Sequence, residues 1–176
     1  MKGPSARILL LSLALASCGF SARHTLGPDR PSLGIKIFAN DGREPDLERR
    51  LHLELTRAAR RLVDARLIAP SRADLTLEGR ILEYATRGGV RGEDNVLLER
   101  GVRLTIEASL RDSQGKLMAG PVSLLQDVGH TTVEARGRSS AEDQALANLA
   151  ESALLDLLVD LEQRRKMPQG ASQQSP

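Results

Sequence analysis

The chain has 176 residues, 40% of them hydrophobic, with two phenylalanines, one tyrosine and no tryptophan. Its formal charge of +2 is the balance of 25 lysines and arginines against 23 aspartates and glutamates. This length suits one folded domain, and so few aromatics cannot build a base-stacking surface, which excludes a general nucleic-acid binder.

The first element is an export signal. Lys2 and Arg7 precede the short apolar run at 8–16, and Ala16 and Ser17 lead into Cys18, the single cysteine. A basic start, an apolar middle and small residues before a cut site are the order of a secretory signal. The run is too short for a spanning helix, which needs roughly 20 apolar residues. One cysteine cannot close an intramolecular disulfide and makes a poor metal site. Leu15-Ala16-Ser17-Cys18 resembles a bacterial lipobox. That resemblance implies cleavage before Cys18 and acylation of its thiol. A plain signal peptide with an incidental cysteine, or a buried cysteine packing as a small hydrophobe, is the alternative. By the resemblance to bacterial lipoproteins, Gly19, where retention at the inner membrane would want aspartate, favours export to the outer membrane. Loss of residues 1–17 removes Lys2 and Arg7 and leaves 23 basic against 23 acidic side chains, so the positive charge belongs to the signal.

Residues 18–31 are rich in Gly, Pro, Ser and Arg without periodicity and read as a lipidated tether. "SLGIKIF" at 32–38 predicts the first strand, and "ANDGREP" is turn chemistry with Pro45 placed to open a helix. Leu47, Leu51, Leu55, Ala58 and Leu62 then recur at helical spacing, with Arg49, Arg50, Glu54, Arg57, Arg60, Arg61 and Asp64 on the other faces. The first helix ends in "APSRAD".

"LTLEGRILEY" alternates, with Leu75, Leu77 and Ile81 on one face and Thr76, Glu78, Arg80 and Tyr84 on the other. A loop with several glycines follows. "GVRLTIEASLRD" alternates again, with Val102, Leu104, Ile106, Ala108 and Leu110 inward and Arg103, Thr105, Glu107, Ser109 and Arg111 outward. "DSQGK" makes a hairpin with Gly115 free to take positive φ. The next strand contains Pro121 and is therefore expected at an edge or interrupted. Ser139 and Glu142 have capping-box spacing, and Leu146, Leu149, Ala150, Ala153, Leu154, Leu157, Leu158 and Leu161 form the apolar face of a second helix. The stretch 167–176 is a polar tail expected to be disordered.

The order β-α-β-β-β-α predicts an α+β fold: a two-layer sandwich over 32–166, with a four-stranded mixed sheet and two helices packed on one face. The first two strands flank a helical crossover and should run parallel with a right-handed connection; the last three form a meander. The other sheet face is polar.

No nucleophile elbow, phosphate loop or HExxH motif is present, and His24, His52 and His130 fall on separate segments. These features point away from an enzyme, and no cofactor or metal is expected.

Several motifs resemble one family, the LptE lipopolysaccharide-assembly lipoproteins. "IKIFANDGREPDLE" (35–48) is similar to its strand-turn-helix pattern at Phe38, Asn40, Glu44, Pro45, Leu47 and Glu48; Lys36, Gly42 and Asp46 stand where that pattern usually has proline, threonine or serine, and glycine. "ADLTLEG" with Tyr84 resembles its second strand, and "RLTIEASLRDSQGKLM" its third strand and hairpin. The resemblance implies a lipid-anchored protein on the periplasmic face of the outer membrane. Its partners would be an LptD-type β-barrel, which it plugs and helps assemble, and lipopolysaccharide. An auxiliary lipoprotein of a phospholipid transporter or another envelope complex is the competing reading.

The predicted topology gathers the 39–45, 85–100 and 134–139 connections at one end of the sheet. They carry Arg43, Arg87, Arg91, Arg136 and Arg138. Guanidinium forks suit the phosphates of lipopolysaccharide, and a solvated rim of loop charges is the alternative.

Overall fold

The computed structural model describes residues 24–27, 29–89, 99–131 and 137–167. Cys18, Arg91, Arg136 and most of the polar tail lie outside them. The chain folds as β1 (His24–Thr25), β2 (Leu33–Ile35), β3 (Ala39–Asn40), α1 (Leu47–Leu62), β4 (Val63–Asp64), a 3-10 turn (Pro70–Arg72), β5 (Leu75–Arg87), β6 (Glu99–Asp112), β7 (Leu117–Thr131) and α2 (Gly137–Lys166). The main sheet runs β2-β5-β6-β7, with β3 also pairing to β5. Both β2 and β3 are parallel to β5, while β5-β6 and β6-β7 are antiparallel. The parallel crossover and the meander are those the sequence predicts. The first strand is broken, however: Lys36–Phe38 separate β2 from β3.

Periodicity places the core. Leu47, Leu51 and Leu55 of α1 are fully buried, and so are Val102, Leu104, Ile106 and Ala108 of β6. Ala145, Leu146, Leu149, Ala150 and Ala153 of α2 join the same cluster. Burial of one such leucine contributes roughly 1.5–3 kcal/mol, and the two helices and one sheet face share a single interior.

Four local readings are corrected. Asp64 is not helical: α1 ends at Leu62, and Val63 turns the backbone extended (φ −112°, ψ 132°) into β4. β4 pairs in parallel with β1, and the bonded pairs are His24–Val63 and Thr25–Asp64. Leu26 beside them is buried, so the last part of the tether stretch is docked on the domain. Tyr84 does not face outward. The β5-β6 register shifts between Ile81 and Glu83, and the extra residue reverses the alternation, so that Tyr84 pairs with the buried Leu104. Thr76 is buried although it is on the outward side, because the 3-10 turn folds over that end of the sheet and takes a long hydrogen bond from it at Pro70 (3.4 Å). Ser139 is not a cap outside the helix, since α2 already begins at Gly137.

Pro121 is accommodated as expected of an edge. β7 is the outer strand, and its register with β6 shifts between Ala108 and Leu110, leaving Gly120 and Pro121 in a bulge. Gly120 has φ +84°, and a Cβ there would lie 2.8 Å from the Ala108 carbonyl oxygen. Its N–H donates to Asp160 Oδ2 (2.6 Å) and its carbonyl accepts from Arg164 Nη2 (2.9 Å), so α2 clamps the bulge with an ion pair one turn long.

Candidate functional site

The end of the sheet formed by the turn after β3, the end of β5 and the start of α2 holds a network centred on Glu142. This carboxylate is almost fully buried. Tyr84 donates its hydroxyl to Oε1 (2.6 Å), Arg138 donates Nε to the same oxygen (3.0 Å), and Arg50 on α1 donates Nη1 to Oε2 (2.9 Å). Arg138 also reaches the Tyr84 oxygen (2.8 Å) and Glu44 (3.1 Å), and Arg50 reaches Asp143 (2.8 Å). Next to it, Asn40 organises the turn: its amide donates to the Glu44 carbonyl (3.0 Å) and Glu48 (2.8 Å), and its oxygen accepts from the Gly42 N–H (3.0 Å).

The electrostatics follow from burial and pairing. Burial alone would raise the Glu142 carboxyl, but the hydrogen bonds from Tyr84, Arg50 and Arg138 outweigh it and hold the group below its ordinary value. Burial, then the bond to Glu142, pushes Tyr84 up to about 12. The Glu142 and Tyr84 bonds raise Arg138 above its already high value. A carboxylate matched by two guanidiniums and a phenol is a joint between α1, β5 and α2 rather than a reactive acid.

The predicted arginines divide. Arg138 is committed to this joint. Arg87 pairs with Asp127 (3.2 Å), which also takes Arg103 (3.0 Å), on the outer sheet face. Arg43 is exposed and, among the described residues, has no ion-pair partner. Arg91 and Arg136 lie outside the described residues. Sequence reasoning found Arg138 but missed Arg50, Tyr84 and Glu142 as its companions. Two signals were available, the i,i+4 spacing of Arg138 and Glu142 on one helix and the fact that Tyr84 is the sole tyrosine, but the register shift that turns Tyr84 inward leaves no mark in composition.

The rest of the outer face is a ladder of exposed pairs. Lys36 and Arg111 both meet Glu78 (2.7 and 2.5 Å), and Arg80 meets Asp41 (3.1 Å). Among the described residues no cluster of potential metal ligands occurs, and no helix is long and apolar enough to cross a membrane.

Two helices over one face of a mixed sheet, with ion-paired side chains on the other, define a small two-layer α+β domain. The same fold occurs in a protein of Xanthomonas campestris (TM-score 0.55, 14% identity, covering 83% of this chain and 96% of that one). It occurs also in the uncharacterized lipoprotein B of Nitrosomonas europaea (TM-score 0.51, 12% identity, 83% and 93%). A minor lipoprotein of Acinetobacter baumannii aligns with a TM-score of 0.47 at 21% identity, over 74% of this chain and 92% of that one. No curated protein matches the sequence. The family model for LptE, described as lipopolysaccharide-assembly, matches residues 31–161, nearly the whole folded domain. The chain belongs to the LptE family of lipopolysaccharide-assembly lipoproteins, a non-catalytic family of the cell envelope.

Proposed function

We propose that this protein is anchored by an acylated Cys18 to the periplasmic face of the outer membrane and serves there as plug and assembly partner of an LptD-type β-barrel. The carrying observation is the family match over residues 31–161, which spans the sheet, both helices and the arginine-bearing end together. The ion-paired outer face supports the reading, since it suits a hydrated lumen better than a lipid surface. In this reading residues 1–17 are the signal, 18–31 the tether and 167–176 a tail. Arg43, Arg87, Arg91, Arg136 and Arg138 contribute to holding lipopolysaccharide phosphates. Arg87 and Arg138 would do so by exchanging carboxylate partners for phosphate oxygens, and Arg43 directly.

The test is purification of the full chain from outer membranes with its lipid attached. Intact mass should show residues 1–17 removed and acyl chains on Cys18, a barrel of the LptD type should co-purify, and depletion should lower surface lipopolysaccharide. A mature chain with a free thiol defeats the anchor. Intact lipopolysaccharide export on depletion, with an inner-membrane transporter as the co-purifying complex, defeats the barrel role and favours the auxiliary-lipoprotein reading.

A further inference from the structure

Among the described residues β7 is the long unpaired edge of the main sheet, and its composition is opposite to that of a strand protected against pairing. β6, flanked on both sides, carries Glu99, Arg100, Arg103, Glu107, Arg111 and Asp112. β7 carries one charged side chain in its whole length, Asp127, and that one is neutralised by Arg87 and Arg103. Exposed edges are ordinarily blunted with charges, prolines or bulges, because a row of unpaired N–H and C=O groups is a template for another strand. Here the proline and the bulge sit near the start of the strand, at Gly120 and Pro121, and leave Val122–Thr131 regular.

The side chains along that regular stretch are incompletely covered. Val122, Leu124 and Val128 pack against the core on the α2 side yet are only partly buried, and Leu125 on the opposite face is 54% exposed. Neither flanking segment suits the vacancy. His24–Leu26 are committed to β4, through the His24–Val63 and Thr25–Asp64 pairs and the buried Leu26. The residues after α2, "MPQGASQQSP", carry two prolines and a glycine and no β-branched residue.

We propose that β7, over Val122–Thr131, accepts an added β-strand from the barrel partner, extending the sheet by one strand; this rests on the barrel role proposed above. A closed barrel wall has no free edge of its own, so the strand comes from a loop or lumenal segment. Its chemistry is set by the edge. It is extended and poor in charge, with apolar residues at alternate positions on the α2 side to complete cover over Val122, Leu124 and Val128.

The experiment uses the acylated full chain co-expressed with its barrel. In the complex, amides at alternate positions between Val122 and Thr131 should exchange with solvent at least tenfold more slowly than in the free protein. The double variant Ser123→Lys, Leu125→Lys should keep its thermal midpoint but recover at least tenfold less barrel. Glu83→Lys, on the same face but on β5, should recover the wild-type amount. If the wild type captures the barrel while the β7 amides exchange as in the free protein, or the double variant binds equally well, the strand addition is wrong and the barrel role stands. If the wild type captures no barrel, both fail. Concentration-dependent dimers whose β7 amides are protected without barrel give the edge to a second copy of this chain and overturn the proposal.

Discussion

Asp46 precedes α1 with φ 71°, a left-handed conformation that costs most side chains roughly 1–2 kcal/mol, although aspartate tolerates it better than most. It is also the position at which the sequence resemblance leads one to expect glycine. Its carboxylate makes no capping bond and pairs only with the exposed Arg49. Asp46→Gly should therefore raise the thermal midpoint by about 2 °C, and Asp46→Val should lower it by a similar amount or more, as scanning calorimetry would show. Tyr84 and Glu142 make a pH-dependent contribution with two limbs. Glu142 is held below its ordinary value of 4.5, so its share is complete above that pH and is lost as pH falls further toward its folded value. Tyr84 is raised from 10.0 to about 12, so its share is complete below 10 and is lost as pH climbs through that window. Tyr84→Phe should cost about 1.5–3 kcal/mol near neutrality, since it removes a hydrogen bond to a charged group. In urea titrations at several pH values it should also abolish the alkaline limb and shrink the acid limb, because the Tyr84 hydrogen bond is the first of those that hold Glu142 down, with Arg50 and Arg138 keeping the remainder. An unchanged alkaline limb would show that the phenol is not held neutral by this network.

β6 was legible residue by residue, because a strand covered on one face alternates without interruption and its apolar set is fully inside. Leu104→Asp should consequently unfold the domain at room temperature or cost several kcal/mol, an unpaired buried charge being expensive. Arg103→Ala removes only its bond to Asp127 and should cost less than about 1 kcal/mol. Equal denaturation midpoints would contradict the face assignment. β5 was legible only as far as Ile81. One added residue at Leu82 reverses every side chain beyond it, and no residue type there announces the change. That shift is also why the Glu142 joint was invisible: its three donors come from α1, β5 and α2, far apart in sequence and brought together by tertiary packing. The helices were easier. The α1 stripe of Leu47, Leu51 and Leu55 is buried as its spacing requires, and only its last turn was overextended, into Val63 and Asp64, which pair with β1 instead.

For the molecule as a whole, the structural part of the arginine-bearing end can be separated from the phosphate binding proposed for it. Arg138 joins three elements, whereas Arg43 is exposed and holds none together. Arg43→Ala should weaken lipopolysaccharide binding by the purified protein several-fold without shifting its thermal midpoint. Arg138→Ala should lower both. If Arg43→Ala binds as wild type does, the phosphate role of this end loses its most accessible member, and the family assignment is unaffected. The hydrogen-bonded frame was accessible to sequence reasoning as a topology. Which guanidiniums are already spoken for was not, because pairing depends on carboxylates such as Asp127 and Glu44 from other strands and turns.

Under the proposed anchoring at Cys18, the two-residue ladder between β1 and β4 would give the leash two lengths. With Cys18 in the membrane and His24–Leu26 docked, the chain between them spans roughly 20 Å at most; with the ladder released, the free stretch to Pro31 reaches about 45 Å. Among the described residues, two bonded pairs, the buried Leu26 and the exposed Arg30–Asp64 ion pair (3.4 Å) hold the shorter setting, so a modest pull along the chain would trade it for the longer one. The domain could stay close to the bilayer while waiting and still travel the depth of a lumen without leaving its lipid. Leu26→Asp should fix the long setting, and energy transfer from a dye in the bilayer to one on the domain should fall accordingly. Equal transfer in the variant and the wild type would mean that the leash has one length.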